Sequence, residues 1–279
     1  MKRFFAVIGD PIAHSMSPGM HNELFQANQI EAHYQPLHVK RENLEAAVAG
    51  LKAVGIEGFN VTVPHKEAIM PYLDKIDPLA KAIGAVNTVV NEGSELVGFN
   101  TDGSGYVEGL KKDLPCFSEK RTLIVGAGGA ARGIYYTLAE AGVEHIDICN
   151  RTVQKAMRMV DECPYSVQSK ILSIDEAEEQ LSRYELIIQT TSIGMHPNIQ
   201  AVPLSLRNLS GNAFVSDIIY NPSETIFLQE AKQKGASIQN GLSMFVYQGA
   251  LAFEKWTGIM PDSDRMRENV LEQLGGKSC

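Results

Sequence analysis

A glycine-rich turn between a strand-like run and a helix-like run is the clearest chemical signal in the sequence. The apolar residues 123–125 are followed by Gly126, Gly128 and Ala131, after which apolar residues recur at helical spacing. The N-terminus of such a helix binds anions through its free N–H groups and the positive end of its dipole. The G-x-G-x-x-A spacing is typical of a dinucleotide pyrophosphate site. The bare pattern is common, but a second strand-like run at 146–149 supplies the context that this site requires.

The residues after that second strand indicate which dinucleotide binds. Sites for NAD usually have Asp or Glu at this position, whereas sites for NADP need cations for the 2′-phosphate. The sequence has Asn150, Arg151 and Thr152 there, with Lys155 one helical turn further on. A guanidinium binds phosphate through two hydrogen bonds, and a basic first helical turn opposes the helix dipole unless an anion is present. The pattern favours NADP over a solvated basic helix start.

Lys66 and Asp102 are candidate site residues because each follows a predicted strand near other polar residues. The predicted strand at 59–63 would point Asn60 and Thr62 to the same side, and Lys66 is expected to begin the following helix. Open α/β sheets bind ligands at the carboxyl ends of their strands. Asp102 is then either the carboxylate partner of Lys66 or the N-cap of the next helix. Taken alone, the first stretch is explained more simply as an edge strand followed by a surface lysine.

The composition is that of an ordinary globular protein long enough for two domains. The chain has 279 residues, of which 44% are hydrophobic and 21% charged, and its net charge of -8 argues against nucleic acid as a partner. The four cysteines have no C-x-x-C spacing and the start has no signal-peptide pattern, so we expect a reducing cytoplasm. No apolar run has the length of a membrane span, and no His/Cys cluster indicates a metal site.

Short apolar runs alternate with helical patterns in the first third of the sequence, which predicts an α/β fold with a mainly parallel sheet. The turn-forming residues 91–93 predict that two of its strands form an antiparallel hairpin. Ser17, which precedes Pro18, is the predicted N-cap of the first helix. The predicted strands are 4–8, 33–39, 59–63, 85–90 and 96–99, and a second helix is predicted at 42–54.

The alternation of strands and helices continues after Pro115 and predicts a Rossmann-like, doubly wound unit. Its predicted strands are 123–125, 146–149, 186–189, 213–219 and 237–239, with a helix at 225–234. Two consecutive helices at 241–258 and 262–274 are expected to pack back against the first domain. The predicted organisation is a substrate-binding catalytic domain at 1–104, a nucleotide-binding domain at 105–239 and C-terminal helices at 240–279.

Ten short motifs in order closely resemble those of the shikimate dehydrogenase family, and the resemblance covers nearly the whole chain. Each motif alone is unspecific, whereas their order and spacing together are specific. They are GDP at 9–11 with SMSP at 15–18, NVTVPHK at 60–66, GAVNT at 84–88, NTDG at 100–103, GAGGA at 126–130, NRT at 150–152, DIIYNP at 217–222, and GLSM at 241–244 with YQ at 247–248.

The resemblance implies an enzyme that reversibly reduces 3-dehydroshikimate to shikimate with NADPH, on the route to chorismate and the aromatic amino acids. Lys66 and Asp102 would be its catalytic residues, because hydride transfer builds charge on a ketone oxygen that a proton donor stabilises. The implied substrate-binding residues are Ser15, Ser17, Asn60, Thr62, Asn87, Tyr220 and Gln248, with the two serines at the carboxylate. The implied NADP-binding residues are Gly126, Ala127, Gly128, Gly129, Ala130, Asn150, Arg151, Thr152, Lys155, Thr191, Ser192, Met195, Ile218 and Gly241.

One stretch departs from the family pattern. Members commonly have Asn-Ala-Thr-Ser where this chain has Gln189, Thr190, Thr191 and Ser192, while the later Gly-Met pair is retained. We expect the nicotinamide side of the site to be retained, and the role of the first position is open.

Other functions remain as alternatives. A quinate/shikimate dehydrogenase would accept quinate and often NAD, but Arg151 and Lys155 favour NADP. A non-catalytic nucleotide-binding regulator of the same fold should have lost Lys66 or Asp102, and both are present. A folate-processing dehydrogenase has a related architecture, and the serine pair argues against it. We expect a small-molecule substrate, neither nucleic acid nor membrane as a partner, and a monomer or homodimer.

Overall fold

The chain forms two units, each built around one six-stranded sheet. The computed structural model describes residues 2–93 and 95–275. The first unit comprises the chain up to Thr101 together with the chain from Val246 onward, and the second comprises Asp102–Phe245. The second unit is therefore inserted between two parts of the first.

The first unit begins with a sheet in the order β2-β1-β3-β5-β6-β4. Its strands are β1 (Arg3–Gly9), β2 (Ala32–His38), β3 (Gly58–Val61), β4 (Lys75–Ile76), β5 (Thr88–Glu92) and β6 (Glu95–Phe99), and its helices are α1 (Ser17–Ala27), α2 (Leu44–Ala53) and α3 (Pro78–Ile83). The interior strand β1 is apolar and buried along most of its length, whereas the edge strand β2 alternates between buried and exposed residues. These two patterns are what a covered interior strand and an edge strand require.

Strand β5 runs antiparallel to both of its neighbours, and every other pair in this sheet is parallel. The predicted hairpin and the mainly parallel sheet are therefore confirmed. Because β5 is reversed, the residue before it lies at the edge where β3 and β6 end. Asn87 donates its backbone N–H to Phe99 O at 3.0 Å and accepts from Val61 N at 2.8 Å. The start of one strand and the ends of two others thus meet at a single edge.

Two local predictions in this unit are wrong. Ser17 is the first residue of α1 rather than its N-cap, and its own N–H is directed to Ser15 Oγ at 3.4 Å. Lys66 begins no helix, since the next helical residues are a 3-10 turn at Met70–Tyr72. The carbonyl oxygen of Lys66 accepts a hydrogen bond from Val86 N at 2.8 Å. It therefore bonds to the segment that leads into β5, where a helical residue would bond to its own helix.

The second unit has the strand order β12-β11-β10-β7-β8-β9, and all of its strand pairs are parallel. Its helices are α4 (Asp102–Asp113), α5 (Gly129–Glu140), α6 (Val153–Asp161), α7 (Ile174–Gln180) and α8 (Ile226–Gln233), and its strands are β7 (Thr122–Val125), β8 (Ile146–Cys149), β9 (Ile171–Leu172), β10 (Leu186–Gln189), β11 (Phe214–Asp217) and β12 (Ser237–Gln239). This is the doubly wound order, with the change of direction between β7 and β10. The Rossmann-like prediction is confirmed.

Helix α9 (Leu242–Thr257) begins in the second unit and passes into the first at Val246, and α10 (Ser263–Gln273) lies in the first unit. Trp256 of α9 donates its indole N–H to Val89 O of β5 at 2.9 Å. Arg265 of α10 pairs with Glu23 of α1 at 2.7 Å. Among residues 2–93 and 95–275, no helix combines the length and the apolar character needed to cross a bilayer.

His21 lies in the aromatic core of the first unit. Its ring stacks on Tyr34 with centroids 4.6 Å apart and lies 5.2 Å from the Trp256 ring. Neither ring nitrogen has a hydrogen-bond partner in the part of the chain that the structure describes. Burial lowers the pKa of His21 to about 3, so the folded protein holds it neutral.

This histidine predicts a loss of stability in acid. The folded pKa lies below the unfolded value of about 6.5, so the unfolded chain takes up the proton first as the pH falls. The free energy of unfolding should therefore decrease between pH 6.5 and about 3. Urea unfolding at pH 7 and pH 4.5 should show a loss in wild type about 2–3 kcal/mol larger than in His21→Phe. The exposed His33→Gln serves as the control, and an equal pH dependence of wild type and His21→Phe would contradict this assignment.

Candidate active site

The glycine turn follows β7 and lies beside the loop that follows β10. Gly126 has a φ of +120°, and a Cβ at this position would lie 2.5 Å from Thr190 Oγ1. Both the conformation and the space therefore require glycine here. Gly128 is exposed, and no described atom lies within 4 Å of where its Cβ would be. Since α5 begins at Gly129, the open space faces the free N–H groups of a helix N-terminus, as an anion site requires.

Two exposed cations follow β8, in the position predicted for recognition of a 2′-phosphate. Arg151 and Lys155 are both exposed, and Thr152 is the N-cap residue of α6. Asn150 donates its amide to Thr152 O at 2.8 Å, which shapes the turn before the helix. Among the described residues, neither cationic side chain has a hydrogen bond or an ion pair. Two cations at a helix N-terminus form an arrangement that attracts a phosphate dianion.

The backbone of the loop after β11 is in contact with the backbone at the start of α9. A Cβ on Gly241 would lie 1.9 Å from Ile218 O, and Gly241 N donates to Ile219 O at 3.0 Å. Asp217 shapes this loop by accepting from Ile219 N at 2.9 Å and from Thr225 Oγ1 at 2.8 Å. Burial raises the pKa of Asp217 to about 6. Ile218 and Gly241, both predicted to bind cofactor, therefore lie in two segments that are in direct backbone contact.

A buried network of amides and hydroxyls crosses the first unit at the edge where β3 and β6 end. Asn60 accepts from Tyr34 Oη at 2.7 Å and donates to Asn87 O and Thr88 Oγ1, both at 3.1 Å. Asn87 accepts from Thr101 N at 2.7 Å and donates to Thr101 Oγ1 at 3.0 Å. Each amide is thus held in one orientation by several bonds.

The network continues at both ends into residues predicted to bind substrate. Thr101 Oγ1 donates to the backbone oxygen of Gln248 in α9 at 3.0 Å. At the other end, burial raises the pKa of Tyr34 well above its ordinary value, and a hydrogen bond with Ser17 offsets part of that effect. Ser17 is buried, while Ser15 beside it is half-buried. The network therefore joins α1, the sheet and α9.

The loop that carries Lys66 is fixed by the strands around it. Thr62 N donates to Ile8 O at 3.0 Å, and His65 N closes a turn onto Thr62 O at 2.9 Å. The buried ring of His65 contacts Val39 O, just after β2, at 2.6 Å. Val86 N donates to Lys66 O as well. The loop is therefore bonded to β1, to the residue after β2 and to the segment before β5. Lys66 is half-buried at the edge where β1, β2 and β3 end.

The structure places the predicted site residues in two groups. The first unit contains Ser15, Ser17, Asn60, Thr62, Lys66, Asn87 and Gln248, and the second contains Asp102, Tyr220 and all of the predicted cofactor residues. Asp102 is the first helical residue of α4, and its role as an N-cap, one of the two alternatives, stays untested. Its pairing with Lys66 stays a prediction. Sequence reasoning missed Tyr34, Thr88 and Thr101, whose only sequence signal was a polar side chain within or directly after a predicted strand.

Three family models match successive parts of the chain. They describe a shikimate dehydrogenase substrate-binding domain at residues 7–89, a shikimate/quinate 5-dehydrogenase at 108–203 and a shikimate 5′-dehydrogenase C-terminal domain at 241–271. Together the matches cover both units.

Individual proteins match over nearly the full length. A shikimate dehydrogenase (NADP(+)) of Geobacillus sp. is 56% identical over 99% of this chain and 100% of its own. The shikimate 5-dehydrogenase of Thermus thermophilus, solved with NADP(H) and shikimate, is 36% identical with a TM-score of 0.88, covering 97% of this chain and 99% of its own. A quinate dehydrogenase of Corynebacterium glutamicum, solved with NAD, is 28% identical with a TM-score of 0.90, covering 97% and 99%. From these family models and full-length similarities, the chain belongs to the shikimate dehydrogenase family.

Proposed function

We propose that this chain reduces 3-dehydroshikimate reversibly to shikimate with NADPH, and that the first unit binds the substrate and the second the cofactor. The observation that carries the proposal is the position of Lys66 at the edge of the first sheet, where its carbonyl accepts from Val86 N, the residue before Asn87. The curated relative at 56% identity has the same activity in its name. The open space at Gly128 and the cations Arg151 and Lys155 fit a pyrophosphate and a 2′-phosphate respectively.

Lys66 acts as the proton donor to the ketone oxygen in the reduction and as the acceptor in the reverse direction. NADPH supplies the hydride. Negative charge develops on the substrate oxygen during the transfer, and an ammonium group directed at that oxygen lowers the barrier. Asp102 orients the ammonium group and stabilises its charge, as the resemblance implies.

The substrate is held by neutral hydrogen bonds. The hydroxyls of Ser15 and Ser17 bind its carboxylate, and Thr62, Asn87, Tyr220 and Gln248 bind its ring hydroxyls or lie beside them. Asn60 already uses both amide N–H groups and accepts from Tyr34, which leaves one acceptor position for a substrate hydroxyl. Because the network orients the amides of Asn60 and Asn87 before binding, we expect specificity to come from geometry rather than from ion pairs.

The direct test assays shikimate and quinate oxidation with NADP and with NAD. We expect the highest kcat/KM for shikimate with NADP. The same assay decides the alternative of a quinate/shikimate dehydrogenase, which the quinate dehydrogenase neighbour keeps open. A higher kcat/KM for quinate with NAD would replace the proposal.

Cofactor choice gives a separate prediction. Arg151→Ala removes a guanidinium that forms no other pair among the described residues, so the KM for NADPH should rise about ten- to a hundredfold. The KM for NADH, which lacks the 2′-phosphate, should stay unchanged. Arg158→Ala is the matched control, because Arg158 is also exposed and lies in α6, the helix that follows Arg151. Equal effects of Arg151→Ala on NADPH and NADH would contradict the assignment.

A cytoplasmic location and a monomeric or homodimeric state belong to the same proposal. Cys116, Cys149 and Cys163 are free thiols, as is usual in a reducing compartment. Size-exclusion chromatography with light scattering measures the oligomeric state directly.

A further inference from the structure

The side chain of Gln189 is surrounded by the loop that leaves β10. Gln189 is fully buried. Its amide nitrogen donates to Thr191 O at 3.1 Å and to Ile193 O at 3.0 Å, and its amide oxygen accepts from Thr191 N. One side chain thus supplies hydrogen-bond partners to three backbone groups of a loop that follows β10 and pairs with no strand.

Packing alone does not hold this loop. Ser192 is exposed, as are Ile193 at 39% and Met195 at 46% of their surfaces. The bonds to Gln189 therefore restrain the shape of residues 191–193, together with a local bond from Ile193 N to Thr191 Oγ1 at 3.2 Å. Thr190 supplies a second restraint, since both its N–H and its hydroxyl donate to Val125 O, at 3.0 and 2.8 Å.

Thr190 also connects the loop to the glycine turn. Its Oγ1 occupies the space that a Cβ on Gly126 would need, 2.5 Å away. The two strand ends at the change of sheet direction are therefore in direct contact. Gln189 sets the shape of the loop, and Thr190 fixes that loop against the turn proposed to bind the pyrophosphate.

We propose that Gln189 is a positioning residue that holds Thr191, Ser192 and Met195 in the conformation that receives the nicotinamide half of NADPH. The proposal rests on the proposed cofactor role of those three residues. Gln189 itself is buried and acts through the loop rather than by touching the cofactor. The adenine half, at the end of β8, should not depend on it.

The test measures separately the effect of a variant on the nicotinamide half and on the adenine half of the cofactor. For Gln189→Ala we expect kcat with NADPH to fall about tenfold or more, because small misplacements at the reacting end are costly. The primary isotope effect with NADPH deuterated at the transferred hydrogen should increase, because hydride transfer becomes slower relative to the other steps. The Kd of adenosine 2′,5′-bisphosphate, which has the adenine half and no nicotinamide, should equal that of wild type.

Gln239→Ala is the matched control. Gln239 is also a buried glutamine at the end of a strand in the same sheet, but its amide bonds to Gly109 O, Asp113 Oδ2 and Ser216 Oγ. The Gln239→Ala variant should have a lower free energy of unfolding than wild type and the same isotope effect. An unchanged kcat and isotope effect in Gln189→Ala would overturn the proposal, and so would an equal loss of NADPH and bisphosphate binding.

Two further variants keep the result decisive. If Gln189→Ala does not fold, Gln189→Met replaces it, because methionine has a similar length and volume and no amide to bond to the loop, and the same separation of the two ligands is expected. Met195→Ala tests the loop itself. Wild-type kcat and NADPH affinity in Met195→Ala and in Thr191→Val would overturn the cofactor role of the loop, whereas a defect there with none in Gln189→Ala would overturn only the positioning role.

Discussion

Lys66→Ala is expected to lower kcat by about three orders of magnitude and to change the KM for 3-dehydroshikimate little. The ammonium group stabilises charge that exists on the substrate oxygen only during hydride transfer, so its removal should affect the transition state more than the bound substrate. The backbone of the loop is fixed by bonds to Ile8, Thr62 and Val86 that the substitution leaves in place. Steady-state rates with NADPH and 3-dehydroshikimate measure the effect.

Lys81→Ala provides the control for loss of a lysine from the same unit, since Lys81 is exposed in α3. It should retain wild-type kcat. A near-normal kcat in Lys66→Ala would remove Lys66 from the mechanism. If wild type itself shows no turnover with any substrate and cofactor pair, the chain would instead be a non-catalytic nucleotide-binding regulator.

Gly241→Ala is expected to destabilise the second unit by about 2–3 kcal/mol and to weaken NADPH binding. The new Cβ would lie 1.9 Å from Ile218 O and 2.3 Å from its carbon. A Cβ has no rotamers, so only a backbone shift can relieve the overlap, and that shift moves the loop after β11. Urea unfolding and NADPH titration measure the two effects.

The control for Gly241→Ala is a glycine without neighbours. Gly50 is exposed in the interior of α2, and nothing lies within 4 Å of its Cβ position among the described residues. Gly50→Ala should therefore stabilise the protein by about 0.5–1 kcal/mol, as alanine does in an open helix. A neutral Gly241→Ala would show that the two backbone segments separate without cost.

The second unit was largely predictable because its signals are local. Strands β8, β10 and β12 have the predicted bounds. The first two are fully buried runs, and β12 is a short run that ends at the turn-forming Asn240 and Gly241. Strand β9 has only two residues and was missed. Helix α7 was also missed, although Ser173 and Glu176 form a capping box whose S-x-x-E spacing is visible in the sequence.

The first unit was predicted less well because its site depends on contacts between distant segments. The predicted helix at Lys66 fails because Val86, twenty residues away in the chain, takes the carbonyl that a helix would use. The orientation of Asn60 depends on Tyr34 and Thr88, which lie in two other strands. The residue types at this edge indicated that it binds a polar ligand. The strand pairing was needed to show which side chains form hydrogen bonds with one another.

The reversed direction of β5 also determines where the first unit tolerates changes in chain length. Asn60, Lys66 and Asn87 all lie at one edge of the sheet, whereas the turn from β5 to β6 lies at the opposite edge. The five residues of β5 separate the two by roughly 16 Å. Insertions at exposed loop tips disturb few buried groups. During divergence of the family, the length of this hairpin can therefore vary independently of substrate geometry.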